Sequence, residues 1–207
     1  MTADPLNQLA RDIRACRICA DAPTGAKPLP HAPRPVVVPS PTARICIAGQ
    51  APGTRVHASG RPFTDPSGDR LRDWMGIGQD VFYDDAKIAI VPMGFCFPGL
   101  DAKGGDLPPR RECVAHWHDR LYALMPQIEL VLVIGQYAQA YHLGPRRAKN
   151  MTATVGGWRD HFDTPLNGRR VLPLPHPSWR NNAWIKKNPW FEADVLPFLK
   201  AEVAKRL

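Results

Sequence analysis

The stretch Arg44-Ile45-Cys46-Ile47-Ala48-Gly49-Gln50-Ala51-Pro52-Gly53 reads as a buried strand that runs into a tight loop. Its first half is a short apolar run with β-branched residues prominent, and the Gly and Pro that follow end the run. Three further runs have the same character: Lys87 to Val91, Leu130 to Ile134 and Arg170 to Leu174. Helical periodicities lie between them. Leu71, Trp74 and Met75 share one face after Ser67, and Val114, Trp117, Leu121 and Leu124 share another after Pro108-Pro109. A last helix is predicted from Phe191 to the C-terminus, interrupted or kinked near Pro197. This alternation predicts an α/β fold, a three-layer α/β/α sandwich around a central four-stranded, mainly parallel sheet.

Outward from that centre, Asp4-Pro5 starts a helix, with the cap ahead of a proline at the first helical position. Leu6, Leu9, Ala10 and Ile13 give it one apolar face, and its end delivers Cys16 and Cys19. Residues 21 to 42 are rich in proline and small residues without periodicity, which predicts an extended wrap over the surface. A chain of 207 residues with 44% hydrophobic content can bury one substantial core. One domain is therefore expected over residues 1–207, with the N-terminal helix, the paired cysteines and the wrap (1–42) belonging to it.

The 27 Lys and Arg outnumber the 19 Asp and Glu, for a net charge of +8, which suits a polyanionic partner. The charges are scattered, so a solvated surface explains them equally well. Neither a signal-peptide stretch nor a run of membrane-spanning length is present, and a soluble cytoplasmic monomer is expected. Five cysteines are an odd number for a disulfide framework, and spaced thiols in a reducing compartment more often mean metal or catalysis.

In open parallel sheets, ligands bind beyond the carboxyl ends of the strands. Here those ends run into Gly49-Gln50-Ala51-Pro52-Gly53, Pro92-Met93-Gly94-Phe95-Cys96, Gly135-Gln136-Tyr137 and Pro175-His176-Pro177-Ser178. Every chemically unusual segment is thus expected on one edge of the sheet, including a Gln and a His that strand termination alone does not require.

Gly49-Gln50-Ala51-Pro52-Gly53 resembles the first signature loop of the uracil-DNA glycosylase superfamily, and His176-Pro177-Ser178 resembles the second. Gly60-Arg61-Pro62-Phe63-Thr64-Asp65 and Ser67-Gly68 stand between them as in that superfamily. The resemblance runs from Cys16 to the last helix and is closest to families 4 and 5, which carry an iron–sulfur cluster. Cys16 and Cys19 form a Cys-x2-Cys pair, while Cys96 and Cys113 have sixteen residues between them. Four thiolates converging from two loops can hold a 4Fe-4S cluster or a tetrahedral zinc; spacing does not separate these, and the resemblance favours a structural cluster. Cys46, inside the first strand, reads as a core residue.

The resemblance implies hydrolysis of the N-glycosidic bond of uracil, or another deaminated base, in DNA at the start of base excision repair. The base leaves the stack and enters a pocket. Gly49, Gln50 and Ala51 would line it, Phe63 would stack on the base, and His176 would donate to uracil O2 as negative charge develops. One such donor is worth roughly 3–4 kcal/mol. Pro52, Gly53, Pro177 and Ser178 would lie against DNA phosphates, and Trp179, Arg180 and Asn181 would enter the helix or brace the gap left by the base.

The chain departs from its relatives at the water-activating carboxylate. The best-known members have Asp where Ala51 stands, and family 4 has Glu where Gln50 stands. Gln50 is kept in the catalytic set beside His176, and Asp65 is the expected carboxylate, although an Asp before Pro66 also suits a turn. The segment Val91 to Phe95 lacks the Asn that family 4 uses on the base, which predicts a broader base range. Two rivals stay open: a binder of damaged or single-stranded DNA without catalysis, using Arg180, Lys186, Lys187, Trp179, Trp184 and Trp190, and a redox or regulatory module built around the cysteines.

Overall fold

The computed structural model describes residues 4–24 and 27–207; residues 1–3, and 25–26 within the predicted wrap, lie outside the described set. Four strands form one sheet: β1 (Ile45–Ala48), β2 (Ile88–Ile90), β3 (Leu130–Ile134) and β4 (Arg170–Leu174). Their order is β2-β1-β3-β4 and every pairing is parallel, with Ile45 opposite both Ile88 and Leu130, and Leu130 opposite Arg170.

Strand periodicity divides the core into two faces. Cys46, Ala48, Ala89, Val131, Val133 and Val171 pack with Leu6, Leu9, Ile13, Leu121 and Met125. Ile45, Ile47, Ile88, Ile90, Leu130, Leu132 and Leu172 pack on the other face with Leu71, Trp74, Met75, Phe191 and Leu199. Both faces of the sheet are covered by helices, as a parallel sheet requires, and the result is a three-layer α/β/α sandwich. Each fully buried Leu, Ile or Phe contributes roughly 1.5–3 kcal/mol through removal from water.

The N-terminal helix spans Pro5–Arg14, with the Asp4 side chain accepting from the Leu6 N–H at 3.1 Å. Leu6, Leu9, Ala10 and Ile13 are all buried, as their spacing predicts. The wrap is extended and closes one edge of the sheet: Val38 and Ile90 exchange backbone hydrogen bonds at 2.9 and 2.8 Å in an antiparallel bridge. Val36 N–H adds a bond to Phe95 O at 2.7 Å. The exposed backbone of β2 is thereby satisfied, which an edge strand otherwise presents to solvent or to another chain.

The C-terminal helix carries the expected interruption. A π turn at Phe191–Val195 precedes the α-helix Leu196–Ala204, with Pro197 in its first turn, where the missing N–H costs little. A second π turn, Val114–His118, lies between Arg111–Cys113 and Asp119–Ala123. No described helix is long and apolar enough to cross a membrane.

Candidate active site

The carboxyl ends of β1, β3 and β4 converge, and the segment after β2 is stitched to the first of them. Met93 and Gly94 donate backbone hydrogen bonds to Gly49 O and Gln50 O at 3.0 and 2.9 Å. Gly135, at φ +77°, turns β3 directly into the helix Gly135–Leu143, and a Cβ there would stand 3.9 Å from both Gln50 Oε1 and His176 Cβ. Buried Gln139 of that helix donates to Leu174 O at 2.9 Å and fixes the end of β4 two residues before His176. Between these ends lies a cavity of about 100 Å³. It is well below the roughly 300 Å³ of a pocket for a drug-sized ligand, and so suits one small ring. Gly49 to Gly53 wall one side, and Phe63, Asp65, Pro92, Asp106 and His176 are among the residues that line the rest.

His176 is held in one tautomer. Its Nδ1 lies 3.2 Å from the Ser178 N–H, which can only donate, so Nδ1 accepts and the neutral ring carries its proton on Nε2. Burial lowers the His176 pKa; Asp65 and Asp106 partly offset this and Arg180 adds to it. A neutral imidazole with a free Nε2–H is a hydrogen-bond donor for charge that develops on a ligand. The loop that carries it is braced from both sides: Asn181 Nδ2 donates to His176 O at 2.7 Å, and Arg70 donates to Ser178 O at 3.3 Å and to Asn182 Oδ1 at 2.7 Å.

Phe63 has a left-handed backbone, φ +54°, which is unfavourable for a bulky residue and characteristic of functional sites. Its carbonyl is held by the Tyr83 hydroxyl at 2.9 Å and by Arg72 at 3.4 Å. Gly68 allows this geometry, since a Cβ there would stand 1.9 Å from Phe63 O. The Phe63 ring meets Phe82 edge to face at 5.8 Å, and its tip would lie 3.5 Å from a Cβ on Gly49. The tip of the aromatic ring is thus set against Gly49 of the first loop, where a side chain is absent.

Asp65 is the N-cap of the helix Pro66–Met75: Oδ1 accepts from Ser67 Oγ at 2.6 Å and from Gly68 N–H at 3.3 Å. The cap and the pocket wall are the same residue, so the turn chemistry and the site reading of Asp65 coexist. A second carboxylate, Asp106, had no signal among the sequence motifs. The nearest one is the Gly104-Gly105-Asp106 turn ahead of Leu107-Pro108-Pro109, in the connection that leaves β2 on the same sheet edge. Partial desolvation raises the Asp106 carboxyl above the ordinary carboxylate range, against the pull of Arg180 and His176.

The remaining expected DNA contacts differ in their placement. Ser178 caps a short 3-10 turn, Trp179–Asn181, by accepting from Arg180 N–H at 3.3 Å, and Trp179 projects with 73% of its surface exposed. Pro177 is buried beneath the turn. Pro52 and Gly53 line the cavity wall itself.

The cysteines correct the sequence expectation. Among the described residues no group of three or more His, Cys, Asp or Glu is arranged to hold a metal ion, which overturns both the 4Fe-4S cluster and the zinc expected on Cys16, Cys19, Cys96 and Cys113. The thiols nevertheless neighbour one another: Cys19 interacts with Cys113, and Cys96 faces both Cys16 and Cys19. Cys19 and Cys96 pack with Leu29, Cys113 belongs to the main core and accepts from Phe95 N–H at 3.3 Å, and Cys16 is half-buried. Burial pushes the Cys96 thiol up to about 12, favouring its neutral form. Cys46 is the core residue expected, fully buried in β1 with its thiol raised to about 11 by desolvation.

Loop, aromatic clamp and oriented histidine occur here in the order and on the sheet edge that the sequence motifs require. Compared with models of protein families, residues 36–200 match the one described as the uracil DNA glycosylase superfamily, a span that includes all four strands and the whole pocket. The chain belongs to the uracil DNA glycosylase superfamily.

Proposed function

We propose that this protein hydrolyses the N-glycosidic bond of uracil, and of other deaminated bases, in DNA. The observation that carries the reading is His176, whose Nδ1 is occupied by Ser178 N–H and whose Nε2–H is left for a ligand. A base extruded from the helix enters beside Gly49, Gln50 and Ala51 and stacks on Phe63. As the bond to deoxyribose breaks, the electron pair moves onto the base, and His176 stabilises it at the O2 position. Asp65, through the oxygen not used in capping, faces the positive charge that develops on the sugar. Gln50 contributes the pocket's side-chain amide, and the buried segment Val91 to Phe95 adds none.

Without an Asn in the segment Val91 to Phe95, where the resembled family 4 carries one, discrimination against other bases is weaker, and a base range beyond uracil follows. Trp179, Arg180 and Asn181 fill the gap left in the helix, with Pro177 and Ser178 against the phosphates. The test is base release from labelled single- and double-stranded DNA carrying uracil, hypoxanthine or xanthine. Release of uracil with measurable release of a second base is expected. Bound DNA with no release at high enzyme would replace this reading by that of a non-catalytic binder.

A further inference from the structure

Asp106 reaches the pocket from a turn that is built before any ligand arrives. Asp101 Oδ1 accepts from the backbone N–H groups of Lys103 and Gly105 at 2.8 and 2.9 Å, and Asp101 N–H donates to Gly105 O at 2.8 Å. Those two N–H donors hold the Asp101 carboxyl below its usual range. Gly104, at φ +76°, makes the reversal, and Leu107 N–H closes the base of the turn on Gly99 O at 2.9 Å. Pro108 and Pro109 restrict the backbone that follows.

A carboxylate is thereby fixed against the first motif loop. Asp106 Oδ2 would lie 3.5 Å from a Cβ on Gly53, and the side chain lines the same cavity as Asp65 and His176 while remaining solvent-exposed at its mouth. The two carboxylates differ in what they are free to do. Asp65 uses one oxygen on Ser67 and Gly68, whereas no described residue donates a hydrogen bond to the Asp106 side chain. Access to water, free acceptor sites and a fixed approach to the pocket are what a general base needs, and its protonation state must also suit neutral pH.

We propose that Asp106 binds and deprotonates the attacking water at the mouth of the pocket, opposite the His176 that receives the charge on the base. The inference rests on the glycosylase reading above. In this step the water oxygen bonds to C1′ of the deoxyribose, the C1′–N bond breaks, and its electron pair leaves with the base. The water proton passes to the Asp106 carboxylate. Arg180, His176 and Asp65 are the charged or titratable groups that face Asp106; the first two favour its ionised form and Asp65 opposes it. Because the base must be ionised, the rate falls as pH drops through the Asp106 pKa, which lies above the ordinary carboxylate range.

The experiment is single-turnover uracil release by the full chain from about pH 4.5 to about pH 8.5, comparing wild type with Asp106→Asn and Asp106→Glu. DNA binding and the thermal midpoint are measured on each protein. Asp106→Asn is expected to bind DNA as wild type does and to lose about 100-fold in rate, with the acid limb of the profile abolished and partly restored in Asp106→Glu. Should Asn disturb the turn, Asp106→Ser reads the same loss. A rate within about threefold of wild type, or a slower rate with the acid limb unchanged, overturns the assignment while leaving the glycosylase reading intact. No release of any base by the wild type overturns both.

Discussion

A cavity on one flank of the sheet and the smaller one at its carboxyl edge are both lined by titratable groups, and they differ in how far those groups already bond to one another. On one flank, Asp119, Tyr122, Tyr141, His142 and Arg169 line a space of about 500 Å³. Their polar atoms serve one another: Tyr141 donates to Asp119 at 3.2 Å, Tyr122 OH stands 3.4 Å from His142 Nε2 and 3.6 Å from Cys46 Sγ, and Arg169 donates to Tyr122 O at 2.8 Å. Burial pushes His142 down to about 3 and Tyr141 up to about 12, so both are neutral across the physiological range. At the carboxyl edge the cavity is only about 100 Å³, yet His176 and Asp106 keep a donor and an acceptor unspent. Chemical capacity follows from polar groups that are oriented but left without a partner, and cavity size does not report it.

The sharpest way to break this contrast is at the backbone that shapes the smaller pocket. Gly68→Ala puts a methyl 1.9 Å from Phe63 O, so the Phe63 turn must move and the pocket with it. Base release is expected to fall by about 1,000-fold or more while the far-UV spectrum persists; near-wild-type release would mean that the Phe63 geometry is dispensable. Phe63→Ala retains the pocket but removes the stacking face, and a loss of about 10- to 100-fold is expected, from stacking worth about 1–3 kcal/mol per base. An unchanged rate would move the stacking role elsewhere.

His142 of the flank cavity and His118, packed behind it against Tyr141, are expected to matter for stability and not for release. His118 is lowered to about 4 and His142 to about 3, in each case chiefly by burial, so both stay neutral in the native state while the unfolded chain protonates them near pH 6.5. Their folded pKa values are depressed, so stability falls as pH drops below about 6.5 and continues to fall until the native pKa values are reached. At pH 5 the unfolded chain binds about two more protons than the native one on this pair alone, and the thermal midpoint should be several degrees lower than at pH 7.5. A flat midpoint over that range would contradict the burial of these rings. Smallest of all, Tyr141→Phe removes one bond to exposed Asp119 and should leave the single-turnover rate within about twofold of wild type.

The sheet was legible in the sequence because its four apolar runs are each bounded by Gly or Pro, and the observed strands fall within a residue of the runs at either end. The ends of β1 and β4 carried the site for the same reason: a Gln and a His at strand termini are not explained by chain reversal. Other features depend on distant contacts. The tautomer of His176 is set by a backbone N–H two residues on, and the strain at Phe63 is set by Gly68, Tyr83 and Arg72. Asp106 entered the pocket only because the turn at residues 101–106, in the connection that leaves β2, folds back over the first loop. The cysteines show the converse. Their spacing looked like a ligand set, but Cys113 is held in the core, Cys16 stays half-buried, and no metal-holding group forms among the described residues.

The most direct test of the central claim is single-turnover release of uracil from labelled DNA by wild type and by His176→Ala, with DNA binding measured on both. The account predicts release by the wild type and a loss of about 100- to 1,000-fold in the variant at unchanged DNA affinity, the signature of a donor that acts on charge in the transition state. Equal rates in the two proteins, or DNA bound by the wild type without any release, would contradict it.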